Sequence, residues 1–313
     1  MNANPAMTKR SLRSAKKHEN HIARSRGEIV GNVIILIILT LLALIMIYPF
    51  WHVLMYSISD ARLALGGGIF LYPRGFSLYG YELVLKNAQI WIAYKNTIFK
   101  TAAGTALSVL LSAMTAYPLS VKRLRGRNGF SMMIFFTMLF GGGTIPTYLL
   151  VKSLGLIDTF WALILPGAVS AYNMFILRNY MQSLPAELEE SARIDGAHAF
   201  TILFKIILPL STPSLAAIAM FYGVGNWNSY MDCLLYTNKP QLQVLQLYLR
   251  QVLLQTSSSN ASMAVAGASA ENYISDTAMQ MVIIAVTVIP ILIVYPWLQR
   301  FYTKGITVGA VKG

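Results

Sequence analysis

Residues able to do chemistry are sparse in this 313-residue chain, which holds one cysteine, four histidines and twelve acidic side chains. Cys233 alone excludes an internal disulfide and a multi-cysteine metal site, and its apolar setting reads as packing. His18 and His21 lie three apart in a basic stretch, His52 follows Trp51, and His198 stands alone. None has a carboxylate or a second histidine at metal-ligand spacing. No Ser, His and Asp combine into a nucleophile–base arrangement. No G-x-x-x-x-G-K-[ST] phosphate loop is present either. The chain is therefore not expected to be an enzyme, and no metal or other cofactor is expected. An ion-gradient mechanism would need ionisable groups deep in apolar segments. Lys95 and Lys100 are the candidates, and no aspartate or glutamate stands out beside them.

One polar segment is built for mechanical work. It reads Leu184-Pro185-Ala186-Glu187-Leu188-Glu189-Glu190-Ser191-Ala192-Arg193-Ile194-Asp195-Gly196-Ala197, and later Ile206-Ile207-Leu208-Pro209. Pro185 suits a first helical turn. Glu187, Glu189 and Glu190 set negative charge near the positive end of the helix dipole, and Gly196 offers a left-handed stop. The segment is expected to form a short amphipathic helix across the membrane surface. The small residues Ser191 and Ala192 would let it approach a partner closely, as a force-transmitting helix must.

A second group, Asn226, Trp227, Asn228 and Tyr230, sits in the polar half of an otherwise apolar run. Polar groups inside a span are costly unless they face a cavity or another helix. Indole and phenol rings can stack on sugar faces, and amides can hydrogen-bond sugar hydroxyls. The same residues read equally well as helix-to-helix hydrogen bonding or as an interfacial aromatic belt. Beyond them, Leu242, Leu245, Leu249, Val252 and Leu253 recur at helical spacing, either to touch another protein or to lie on the membrane surface.

The elements that must carry these groups are membrane spans. Hydrophobic residues make up 56% of the chain and charged residues 12%, with a mean hydropathy of +0.55; a soluble domain carries roughly a quarter charged residues. Apolar runs predict about six spans, near 31–56, 92–118, 130–151, 159–182, 206–236 and 279–298. The first is too long for a signal peptide and lacks an A-x-A site, so it reads as an anchor. Gly141-Gly142-Gly143 in the third implies close helix packing, or else a local break. The net charge of +13 sits in basic clusters beside spans: Lys9 to Arg26, Lys122 to Arg127, and Arg300, Lys304 and Lys312 at the end. That is the positive-inside pattern, and it puts both termini and the 184–209 segment in the cytosol. No aromatic-rich basic face supports nucleic-acid binding. The fold class is all-α and polytopic, facing membrane lipid, with a basic tail at 1–30 and a transmembrane domain at 31–313.

The spacing E-x-A-x-x-x-G followed by I-x-L-P resembles the EAA loop of permease subunits in binding-protein-dependent ABC importers. Glu190, Ala192, Gly196, Ile206, Leu208 and Pro209 match it, Ser191 standing where the family often has alanine. Asp195-Gly196-Ala197, Asn96-Thr97, Ala116 to Ser120, Ile145 to Tyr148 and the ending Lys304 to Gly313 resemble the MalG-type carbohydrate permeases, and among them the LplC/YtcP-type oligosaccharide and polysaccharide permeases. The resemblance implies an importer core at about 92–303 and a coupling loop at 184–209. It implies a second permease subunit, separate P-loop ATPase subunits, an extracellular solute-binding protein and a carbohydrate substrate. Glu190, Ser191, Ala192, Asp195, Gly196, Ala197, Ile206, Leu208 and Pro209 would couple to the ATPase. A permease for amino acids or metals would share this loop; the ending and the Ile194-Asp195-Gly196-Ala197 wording favour a sugar.

Overall fold

The computed structural model describes residues 26–259 and 275–310. Most of the basic tail, most of the Ser/Ala-rich linker 256–270 and the last three residues lie outside the described residues. Among the described residues the chain is helical, and its extended pairing amounts to an isolated bridge between Ser59 and Phe76.

The helices are α1 (Arg26–Ser57), α2 (Ala61–Ala64), α3 (Tyr79–Lys86), α4 (Ala88–Ser120), α5 (Arg127–Leu139) and α6 (Thr144–Ser153). Two 3-10 turns, Phe160–Leu163 and Leu165–Gly167, precede α7 (Ala171–Gln182) and α8 (Ala186–Ile194). Then come α9 (Ala199–Ile202), a π turn (Leu203–Ile207), α10 (Leu208–Leu210), α11 (Thr212–Asn228) and α12 (Met231–Tyr236). After a 3-10 turn at Pro240–Leu242, α13 (Leu245–Ser259) and α14 (Asp276–Ala310) complete the chain. The segment 57–90, between the first two expected spans, carries α2 and α3.

Three helical stretches are long and apolar enough to cross a bilayer unbroken: Gly27–Ser57, Ala88–Ser120 and Thr277–Val294. Three bent pairs bring the number to as many as six. The third expected span, 130–151, is not one helix: α5 and α6 meet at 114°. The glycines between them make a break rather than a packing surface. A Cβ on Gly141 or Gly142 would meet nothing, and Gly143 has φ +84°, where a side chain is strained. In the fourth, the 3-10 turns and α7 differ in direction by 55°. The fifth, expected over about 206–236, turns by 85° between Ala199–Leu210 and Thr212–Asn228, and α12 is a separate helix. Two prolines explain the turn. Pro209 has no N–H for the Lys205 carbonyl, and the helix widens into the π turn just before it. Pro213 leaves the Pro209 carbonyl without its usual donor, and the Thr212 hydroxyl takes over at 2.6 Å.

The same substitution of a hydroxyl for a missing amide joins α4 to α14. Pro290 stands four residues after Val286 inside α14, so the Val286 carbonyl has no intrahelical donor. The Tyr94 hydroxyl of α4 donates to it. Close approach at the centre of the bundle comes from small residues. Gly104, Ser108, Ser112 and Ala116 recur every fourth residue of α4 and are all buried, the spacing that lets membrane helices pack backbone to backbone. At Gly104 the fit is tight, since a Cβ there would lie 3.0 Å from the Asn226 amide nitrogen. On α1, by contrast, apolar side chains from Ile29 to Ile47 are exposed over a span of mean hydropathy 3.0, a surface suited to lipid.

Candidate functional site

The segment Ala186–Ile194 is the helix the sequence predicts, with Pro185 as its N-cap at φ −57° and ψ 128°, one position ahead of the first turn expected for it. Its end is a Schellman closure: the Ala197 N–H donates to the Ala192 carbonyl at 2.9 Å and the Gly196 N–H to the Arg193 carbonyl at 3.0 Å. Gly196 adopts φ +78° to make it. On the helix surface Arg193 Nε donates to Glu189 Oε1 at 2.9 Å, one turn away. That hydrogen bond holds the guanidinium above its ordinary pKa, against the lowering effect of burial.

What lies beneath this helix decides its mechanics. Ala192 is buried in the same cluster as Ala116, Tyr117 and Leu119 of α4, Met174, Leu177 and Met181 of α7, and Ile202, Leu203 and Ile207. Ala197, Ile206 and Leu208 pack against that cluster. The small side chain at 192 therefore allows close packing of α8 on its own bundle, while Glu190, Ser191, Asp195, Gly196 and Pro209 remain exposed. Ile194, 86% accessible, and Leu188 are also exposed on this helix, as are Phe200 and Phe204 on the segment after it. Below the cluster the end of α4 is secured by α7, where Arg178 Nε donates to the Leu119 carbonyl at 3.0 Å. A deeper node forms at Tyr222 of α11. Its hydroxyl shares a hydrogen bond with Ser112 of α4 at 2.7 Å and accepts the Ser170 N–H, ahead of α7, at 2.9 Å.

Asn226, Trp227, Asn228 and Tyr230 diverge around the end of α11. Asn226 faces α4, its amide 3.4 Å from the Thr105 hydroxyl. Trp227 packs against a cluster of Val84, Ile90, Leu245 and Val282, and its Nε1–H is buried without a hydrogen-bond partner among the described residues. Asn228 is exposed. Tyr230 has its ring under the Arg250 guanidinium, 4.6 Å from the centroid, packs against Leu163, Cys233, Val244 and Leu247, and hydrogen-bonds Arg250 through its hydroxyl.

Sequence reasoning missed Asp232 and Arg250. Asp232 accepts from Lys100 Nζ at 3.2 Å. An acidic residue in the apolar run 231–236 was the available signal, since a buried lysine calls for such a partner. Nothing in the local sequence marks Arg250. The pair Asn96-Thr97, which enters the sequence reading only through its resemblance, has a physical role. Asn96 Nδ2 donates to the Gln241 and Gln243 carbonyls at 2.7 and 2.9 Å, and the Thr97 hydroxyl accepts the Leu245 N–H at 2.8 Å. Together they dock the first turn of α13 onto α4.

Comparisons with known proteins agree with this geometry. Residues 90–308 match the family described as binding-protein-dependent transport system inner membrane component. The chain is 42% identical over 275 residues to the polygalacturonan/rhamnogalacturonan transport system permease protein YtcP of Bacillus subtilis, covering 88% of this chain and 96% of that one. It is 40% identical to Protein LplC of the same organism over 270 residues, 86% and 90% of the two chains. Among solved structures, a chain from a bacterial ABC transporter that imports the acidic polysaccharide alginate superposes with a TM-score of 0.81 at 32% identity, over 89% of this chain and 99% of that one. The all-α, polytopic chain described here belongs to the inner-membrane permeases of binding-protein-dependent ABC transport systems.

Proposed function

We propose that the chain is the membrane-spanning subunit of an ATP-driven importer for an acidic oligosaccharide or polysaccharide fragment. It forms the pathway with a second permease. An extracellular solute-binding protein delivers the sugar, and separate P-loop ATPase subunits hydrolyse ATP. The 31–313 region is the permease domain and 184–209 its coupling loop. Both termini and α8 face the cytosol, in keeping with the basic loop 122–127 beside that end.

The observation that carries the coupling role is the two-sidedness of α8. Its inner face, through Ala192, is part of the core that joins α4, α7 and α11. Its outer face presents Glu190, Ser191, Asp195 and Gly196 beside the exposed Ile194. An ATPase cleft gripping that face would move the helix ends with it, and alternating access is the population shift that ATP and the loaded binding protein bias together. The substrate class is supported by the relatives that transport polygalacturonan/rhamnogalacturonan and by the alginate importer. Asn226, Trp227, Asn228 and Tyr230 are assigned to the pathway, and the buried, unpartnered Trp227 N–H supports a polar visitor there.

The test is purification of the chain in mild detergent from its native membrane, followed by reconstitution and uptake of oligogalacturonate. Recovery with a P-loop ATPase and a second permease, and ATP-dependent uptake, is the expected result. A chain that purifies alone from membranes that transport normally would overturn the assembly with a second permease and ATPase subunits.

A further inference from the structure

From sequence, Tyr230 reads equally as a ring for a sugar or as a packing group; one face of that ring lies under the Arg250 guanidinium and the rest packs on Leu163, Cys233, Val244 and Leu247. The phenol is a shelf. What stands on it is a cation with no carboxylate partner among the described residues: Asp232, the nearest acidic residue in sequence to Tyr230, is engaged by Lys100 and the Ser229 hydroxyl. Arg250 is exposed on α13, and α13 is fixed to α4 through the Thr97–Leu245 and Asn96 hydrogen bonds. The ring beneath it and the bond to the Tyr230 hydroxyl restrict the guanidinium before any ligand arrives. A pre-set planar fork is the group that best receives a carboxylate with two parallel hydrogen bonds, and little side-chain entropy remains to be lost on binding.

We propose that Arg250, positioned by Tyr230, is a carboxylate-binding subsite that receives a uronate residue of the transported chain. This rests on the acidic-saccharide reading above and extends it by naming the group that recognises the acid. The geometry also makes the subsite selective. A neutral or esterified sugar would leave the guanidinium without its anion, whereas the free acid gains a charge-assisted pair.

The experiment compares the complete reconstituted importer with Arg250→Gln and Arg250→Lys versions, using trigalacturonate and its methyl ester as probes. The expected result is a roughly ten- to hundredfold rise in KM for trigalacturonate in R250Q, the loss of a charge-assisted hydrogen bond. The loss should fall on KM more than on the maximal rate. R250K should recover part of the loss, because it keeps the charge without the fork, and uptake of the ester should not respond to either change. An R250Q effect equal for acid and ester, or absent for both, overturns the subsite and leaves the saccharide importer standing. If the unsubstituted complex takes up neither probe, the acidic-saccharide reading itself falls and the subsite with it.

Discussion

The Lys100 ammonium, on a residue with 0% exposure, lies 3.2 Å from the Asp232 carboxylate and 3.4 Å from the Ser229 carbonyl. One side chain of α4 thereby clamps the junction where α11 ends and α12 begins. The Asp232 side chain is 34% exposed, whereas that of Lys100 is closed off. The pair holds Tyr230, and therefore Arg250, at a fixed place relative to α4.

Removing one partner of such a pair leaves a buried charge unpaired, while replacing both with apolar groups is often tolerated. Asp232→Leu, which strands the fully buried ammonium, is expected to destabilise the protein by about 3 kcal/mol. Lys100→Met with Asp232→Leu should recover most of that loss. Thermal unfolding of the detergent-purified complex is the measurement; a double variant no better than the single would mean that the ammonium acts through Ser229 alone.

At Gly196 the backbone sits at φ +78° with open space around a Cβ, so a bulky side chain meets strain rather than collision. Gly196→Val should distort the closure of α8 at a cost of about 1–2 kcal/mol. The protein should still insert. ATP hydrolysis and uptake, measured together in proteoliposomes, should come apart, and normal uptake would remove the closure from the coupling mechanism.

Trp227 has a buried indole N–H with no partner among the described residues. An orphan donor of this kind costs on the order of 1–3 kcal/mol. Trp227→Phe should therefore fold at least as stably, and Trp227→Ala should lose about 3 kcal/mol through the cavity it leaves. If a substrate hydroxyl meets that donor, the phenylalanine variant slows uptake in spite of its stability. Unchanged uptake kinetics would make the residue a packing group.

The Tyr94 hydroxyl supplies the Val286 carbonyl with the donor that Pro290 cannot. Tyr94→Phe should cost about 1–2 kcal/mol by leaving that carbonyl unpaired in the membrane. Pro290→Ala restores an amide donor, so the double variant should be much less unstable than the two single losses added together. Additive losses in a double-mutant cycle would show that the tyrosine serves elsewhere.

Much of this architecture is legible along the chain because it depends on neighbours in sequence. The apolar runs mark all six segments, and α8 announces itself through Pro185, the early glutamates and Gly196. The bends are less legible. Gly141 to Gly143 fit tight packing and a break equally, and only the empty space beside Gly141 and Gly142 separates the two. Lys100 and Asp232 are 132 positions apart, so no local pattern could pair them. Tyr230 stands out in the sequence as an aromatic group in a polar stretch, but its ring is engaged by Arg250 from a helix whose place is fixed through Asn96 and Thr97.

A proline whose missing donor is replaced by a hydroxyl is not a soft joint. To move α14 away from α4 at Pro290, the molecule would have to give up the Tyr94 bond and strand the Val286 carbonyl in hydrocarbon; to open the turn at Pro213, it would have to give up the Thr212 bond. Those joints are braced, like the welded corners of a truss. The elbow at Phe140 to Gly143 has open space beside Gly141 and Gly142. When the transporter changes shape, α4, α11 and α14 should travel as one frame, and the arm made of α6 should swing against it.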